Sequence, residues 1–428
     1  SVPLTLPKSS ILKIERDVTV EDPKESAPAA KASDADSSSE SGITEVPLPN
    51  GEVASLYIIK MQGEIGTDIR SEVYEGVIEE IKSTRPEVVI IELDSKISDD
   101  NMLSYWLGRS ADNDNWWEED PFQRREPIGM LMDDEQKLVL MFQRIPKDVR
   151  QVLWVRDATG PAALLAMSWE DMFMHSEASI GQLGEIWSTI DSQGYDGDVR
   201  SKMELAWFGA AKGMMQYGRH PEELYEGLLR PYAPLSFSCK GRKPLWFNNY
   251  DGDIPIVPEW GFGGEITNEP DGQRGFPLGW KFGARPSEDM LISDGTADTL
   301  DDLALLLDLR EYDVLESDSI DDVASYREEW REQFLSAEKS MKEYIQYMQR
   351  GTMADLQKAK KALARVISRV RSNKSVATRI QSLYRMDRIE LEIAMERLES
   401  QIRQQGRGGG RGGGGRGGGG RGGGGGGG

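Results

Sequence analysis

The chain has 428 residues, with 51 Lys or Arg against 73 Asp or Glu and a formal net charge of −22. This length supports one large domain or two modest ones with a real core, and the acidity argues against nucleic-acid binding by the body of the protein. One cysteine, Cys239, excludes an intrachain disulfide and a cysteine-based zinc site, and two histidines, His175 and His220, are too few for a histidine-rich metal centre, so no metal or cofactor is expected.

Residues 1–42 are dominated by Pro, Ser, Ala and charged side chains and read as a disordered N-terminal tail, with 12–20 a candidate for a locally docked strand. No stretch approaches the run of about 18 apolar residues that crosses a membrane, so no transmembrane segment is expected. The chain opens on Ser1 rather than Met, as either a removed signal peptide or a shortened chain would give.

Order begins near Val53. Residues 56–59 read as a strand and 63–66 as a turn; Ile69, Val73, Val77 and Ile81 recur every four residues as an amphipathic helix, and 88–93 is an apolar run of the fully buried strand type. This β-α-β order implies a parallel sheet with a right-handed crossover. Residues 99–140 form an insertion whose Trp106, Trp116 and Trp117 lie among acidic residues, packed on the body or serving as a subunit contact or lid. Residues 138–145 read as helical.

The central stretch is 152–181. It reads as a strand over 152–155, turn and cap chemistry over 157–161, a small-residue helix over 162–167, a strand over 172–174 and the Ser179-Ile180-Gly181 end of the unit. A loop follows over 182–198. Next comes a long helix with Val199, Met203, Ala206, Ala210 and Met214 on one face, ending at Gly218, and a short helix begins after His220-Pro221. Residues 232–285, rich in Gly, Pro and aromatics, read as a β-rich elaboration. Asn248, Asn249, Asp251 and Asp253 within it fit turn chemistry better than a calcium loop. Thr299 caps a helix bearing Leu300, Leu303, Leu306 and Leu307.

Residues 318–405 are long, charged and helical, read as two or three helices in a hairpin or coiled coil, with Tyr326, Trp330, Phe334 and Met341 in one stripe. Basic residues between Lys358 and Arg388 form a solvated face or a contact for an acidic partner. Residues 406–428 are a flexible Gly/Arg tail, and four arginines without aromatics are weak grounds for RNA binding.

The layout of 152–181 resembles the core of the ClpP/crotonase superfamily, nearest to the signal peptide peptidase A and NfeD-type membrane-associated serine proteases, in which a comparable stretch reads roughly A-S-A-G-x-x-I-A-x-A-A-D-x-I-Y-M-x-P-x-S-x-I-G. The β-α-β opening, the Gly218-Arg219-His220-Pro221-Glu222 step and the closing helix near 300 add to the resemblance, which covers 53–98 and 150–315. It implies an α/β fold of stacked β-α units across 53–315, here followed by a helical extension. It also implies a serine nucleophile at a helix N-terminus, a lysine base in an apolar pocket and glycine N–H groups in an oxyanion hole.

This sequence departs from that pattern at each place. Counted from Ile180-Gly181, the nucleophile position is Gly160, with the Thr159 hydroxyl one residue earlier. Counted from Gly218, the lysine position is Ser201, with Lys202 one residue on, about 100° around a helix. Ile97 and Ser98 stand where the oxyanion glycines would be. The resemblance therefore implies a degenerate serine protease homologue that works as an oligomeric scaffold or binds a peptide or protein. Two alternatives stay open: an ATP-independent peptidase using Thr159 and Lys202, and a crotonase-like acyl-CoA enzyme. A location outside the cytoplasm is the expectation from the resemblance, with the cytoplasm left open.

Overall fold

The computed structural model describes residues 53–95, 132–183, 196–230, 234–241, 243–256, 259–260 and 277–408. The expectations for both tails, for Trp106, Trp116 and Trp117, and for Ile97 and Ser98 lie outside the described residues.

The elements run β1 (Ala54–Gln62), α1 (Glu75–Thr84), β2 (Val88–Ser95), α2 (Met132–Phe142), β3 (Arg150–Thr159), α3 (Pro161–Ala166), β4 (Met172–Met174) and β5 (Ser179–Gly181). They continue through α4 (Gly197–Met215), α5 (Glu222–Leu229), β6 (Leu235–Lys240), β7 (Lys243–Phe247), β8 (Ile254–Ile256), β9 (Glu259–Trp260), β10 (Pro277–Gly279) and β11 (Lys281–Gly283). The last are α6 (Ala284–Asp289), β12 (Gly295–Thr296), α7 (Leu300–Leu306), β13 (Tyr312–Val314), α8 (Asp318–Arg350), α9 (Met353–Ser372), α10 (Lys374–Tyr384) and α11 (Arg388–Gly408).

The fold is mixed α/β with a parallel sheet and a helical C-terminal region. The main sheet runs β11-β5-β3-β2-β1-β13, with β4 joined to β3 and β12 to β4. Every pairing in it is parallel except β11 with β5. Side-chain alternation explains the apolar run of β2. Val88 and Ile90 point into a core closed by Leu303, Ala304 and Leu307 on and just after α7. Val89, Ile91 and Leu93 point into a larger core closed by α1 to α5. With both faces covered, a strand has no solvent side to make polar.

Several element boundaries differ from the sequence reading. Periodicity extended the first helix back to Ile69, whereas α1 starts at Glu75, with Ile69 buried in an irregular loop and Val73 half-buried in a 3-10 turn. Residues 157–159 read as a turn but belong to β3, because Ala158 and Thr159 find partners in Ile180 and Gly181. Thr299 caps α7 as expected, in a reciprocal capping box with Asp302.

Four helices, not two or three, make up 318–408. Gly351 in a left-handed conformation ends α8, and Asn373 both ends α9 and caps α10 by accepting from the Val376 N–H at 3.2 Å. They share a core built on Trp330, Phe334, Met341, Leu363, Val366, Ile380 and Leu391. Basic residues of α9 are answered by acidic neighbours in the bundle: Lys360 pairs with Glu399, Arg365 with Glu343 and Arg371 with Glu392.

Candidate functional site

Strands β1, β2 and β3 are parallel, so their carboxyl ends lie on one edge of the sheet, where open α/β sheets place their clefts. The turn after β3 carries the sequence candidates. β3 ends at Thr159, and Gly160 then takes φ 64 and ψ −130, a backbone shape that glycine alone adopts without strain. Pro161 opens α3, whose missing N–H costs nothing at a helix start.

Gly160, not Thr159, is the N-cap of α3. The Gly160 N–H donates to the Gly181 carbonyl at 2.8 Å, so it is spent on closing β3 against β5. The Thr159 side chain is buried, 1% exposed, at the end of its strand. Gly181, at φ 134, is crossed so closely by β11 that a Cβ there would lie 1.9 Å from the Trp280 carbonyl oxygen.

Lys202 sits on the exposed first half of α4, beyond the part of that helix that packs into the core at Ala211, Met214 and Met215. An ammonium in water keeps its hydration and lacks the apolar surroundings that make a lysine a base. Ser201, its neighbour, donates to the Gly197 carbonyl at 2.9 Å as an ordinary helical hydroxyl.

The structure brings together a polar pair that the sequence reading passed over. Asp157, 8% exposed, accepts from the Ser179 hydroxyl at 3.3 Å and 3.4 Å. A bulge between Leu93 and Asp94 sets Asp94 opposite Asp157 and leaves Arg156 unpaired in the ladder. Arg156 stacks 3.9 Å from the Trp154 ring centre and donates to Glu92 at 2.9 Å. The signal available was a carboxylate two residues past an apolar β run, after Arg156. A serine held by a carboxylate is positioned, but among the described residues no lysine or histidine is hydrogen-bonded to Ser179 to take its proton.

Neither histidine belongs to this edge's pair. His175 lies 3.4 Å from Asp298. His220, in the connection between α4 and α5, is half-buried in an edge-type contact with Tyr225, and its solvent-shielded Nε2 has no hydrogen-bond partner among the described residues. Burial pushes its pKa down from 6.5 to about 4. The Tyr225 hydroxyl is pushed up to about 12, chiefly by burial.

No cluster of three potential metal-ligating side chains occurs among the described residues. Asn249 and Asp251 make a local turn, the Asn249 side-chain Oδ1 accepting from the Asp251 N–H at 2.8 Å. No described helix is long and apolar enough to cross a membrane.

No family model matches the chain, and no curated protein matches it. Among solved structures, it is similar to a serine-to-alanine mutant of the 1510-N membrane-bound stomatin-specific protease, at 12% identity and a TM-score of 0.34, over 62% of this chain and 99% of that one. A lysine-to-alanine mutant of the 1510-N protease, solved with a substrate peptide, is similar at 11% identity and a TM-score of 0.35, over 64% of this chain and 99% of that one. A 1510-N protease structure from Pyrococcus horikoshii, described as specific for a stomatin homolog, follows at 16% identity and 0.17, over 39% and 72%. At such scores the likeness is distant, and the fold description rests on the chain's own strand order.

Proposed function

We propose that this chain is a serine protease homologue of the ClpP and signal peptide peptidase A kind whose peptide-cleaving site is degenerate, and that it acts outside the cytoplasm as an oligomeric scaffold or binding protein. The observation that carries the reading is Gly160. It stands where the resemblance puts a nucleophile, has no side chain to attack with, and its N–H is committed to Gly181. The exposure of Lys202 and the burial of Thr159 support the same reading, since a hydroxyl and its base must meet in one water-poor pocket.

The test is peptidase turnover by the full chain on a peptide panel, with Thr159→Ala and Lys202→Ala alongside. No turnover, or a trace unchanged by both substitutions, is the expected result. Turnover abolished by both would replace the proposal with a Thr–Lys peptidase. Saturable coenzyme A binding would instead favour an acyl-CoA enzyme.

A further inference from the structure

The loop over 63–71, which leaves β1 at the carboxyl edge, has little regular structure of its own. Gly63 and Gly66 take φ of 102 and 91, and the Gly63 N–H donates to the Asp94 carbonyl at 3.0 Å, tying the loop to the end of β2. Asp68 folds back over Gly63, where a Cβ would stand 2.4 Å from its Oδ2, and accepts from the Glu64 N–H at 3.1 Å.

Asp68 is buried, and a buried carboxylate is costly without a cation and donors. Both come from α8, more than 260 residues away. Arg331 donates from Nε and Nη2 at 3.1 Å each, in the bidentate geometry that suits a carboxylate, and Trp330 Nε1 donates at 3.2 Å. From α10, the Ser375 hydroxyl donates to the Thr67 carbonyl at 2.7 Å, and Arg379, 2% exposed, lies 3.5 Å from Glu64. Arg70 donates to the Gly66 carbonyl at 2.6 Å, reaches Thr378 of α10 at 3.4 Å and pairs with Asp134 of α2 at 2.9 Å. Lys374 pairs with Glu72.

We infer that the C-terminal helical bundle is a strap on the 63–71 loop: the loop holds this shape only while α8 and α10 are docked on it, so the β1 end of the carboxyl edge is set from the far end of the chain. The two sides depend on each other. Undocking the bundle leaves Asp68 only the Glu64 N–H and the Thr67 carbonyl without Ser375, so the loop cannot keep them turned inward. This device stands whether or not the chain cleaves peptides.

Amide hydrogen exchange on the full chain tests it. Arg331→Ala is expected to speed exchange over 63–71 by about tenfold or more, as loss of a charged hydrogen-bonding partner implies, while β2 and the bundle core keep their protection. Arg371→Ala, which removes a pair with Glu392 inside the bundle and touches no loop residue, is the control and should leave 63–71 unchanged. A folded Arg331→Ala protein with a fully protected loop overturns the strap. So does an equal rise over sheet, bundle and loop, or a loop loosened as much by Arg371→Ala. Should Arg331→Ala fail to fold, Ser375→Ala decides the matter: faster exchange at 63–71 supports the strap, and unchanged exchange overturns it.

Discussion

The turn after β3 and the loop after β1 leave the same edge of the same parallel sheet, yet they are held by different means. At Gly160 the main chain satisfies itself: its N–H goes to Gly181, its carbonyl to the Ala163 N–H, and Pro161 brings no N–H to satisfy. At 63–71 the loop is held through side chains: α2 and α8 grip its Arg70 and Asp68, and Ser375 of α10 donates to the Thr67 carbonyl, with Asp68, Arg70 and Arg379 all buried. The difference shows that local order and chemical content need not coincide. The turn that looks like a reaction centre has spent its polar groups on backbone closure, and the charges have gone to an internal joint.

The largest effect should come from the joint. Arg70→Ala takes the close partner from the buried Asp134 and leaves it only the exposed Lys137 at 3.9 Å, and denaturant unfolding should show a loss of about 3–5 kcal/mol. A loss below about 1 kcal/mol would mean that water reaches these charges and that the joint is not a dry one.

The next effect sits in the connection between α4 and α5. His220 takes up a proton only near pH 4 when folded, against 6.5 when unfolded. The unfolded chain therefore binds the extra proton first, so this group's contribution to stability is level above about pH 6.5 and falls as the pH drops through the window to about 4. The total loss is about 3 kcal/mol. His220→Phe, which keeps an aromatic edge toward Tyr225, should flatten that part of the stability–pH curve.

Smaller again is the response of the β3 turn itself. Gly160→Ser puts a hydroxyl where the resemblance expects a nucleophile but forces a side chain onto φ 64 and ψ −130, which should cost about 1–3 kcal/mol in thermal or denaturant unfolding. No peptidase turnover should appear, because Lys202 remains in solvent. Smallest of all, Arg371→Ala removes a pair that is 58% and 36% exposed, and should change stability by less than about 1 kcal/mol.

The sheet was legible because its strands announce themselves. The run over 88–93 is apolar but for Glu92 because both its faces are covered, and the spacing of Val77 and Ile81 marks the buried side of α1. The four-residue rhythm misled at Ile69, which is buried for a tertiary reason: the loop it sits in is clamped by the bundle. Asp157 was hidden for a similar cause, since its place inside β3 depends on β5 pairing with the strand's last residues. The Asp68–Arg331 joint spans a separation of 263 positions, and no local pattern carries such a contact. At Gly160 the sequence was informative through what it lacks, and the backbone geometry then explained why glycine occupies the turn.

The most direct measurement is cleavage of a complex peptide library by the full chain, read by mass spectrometry, with Thr159→Ala run in parallel. The account predicts that no cleavage product depends on Thr159. A defined set of products that vanishes in Thr159→Ala, with the variant still folded, would contradict it and make the edge at β3 a working active site.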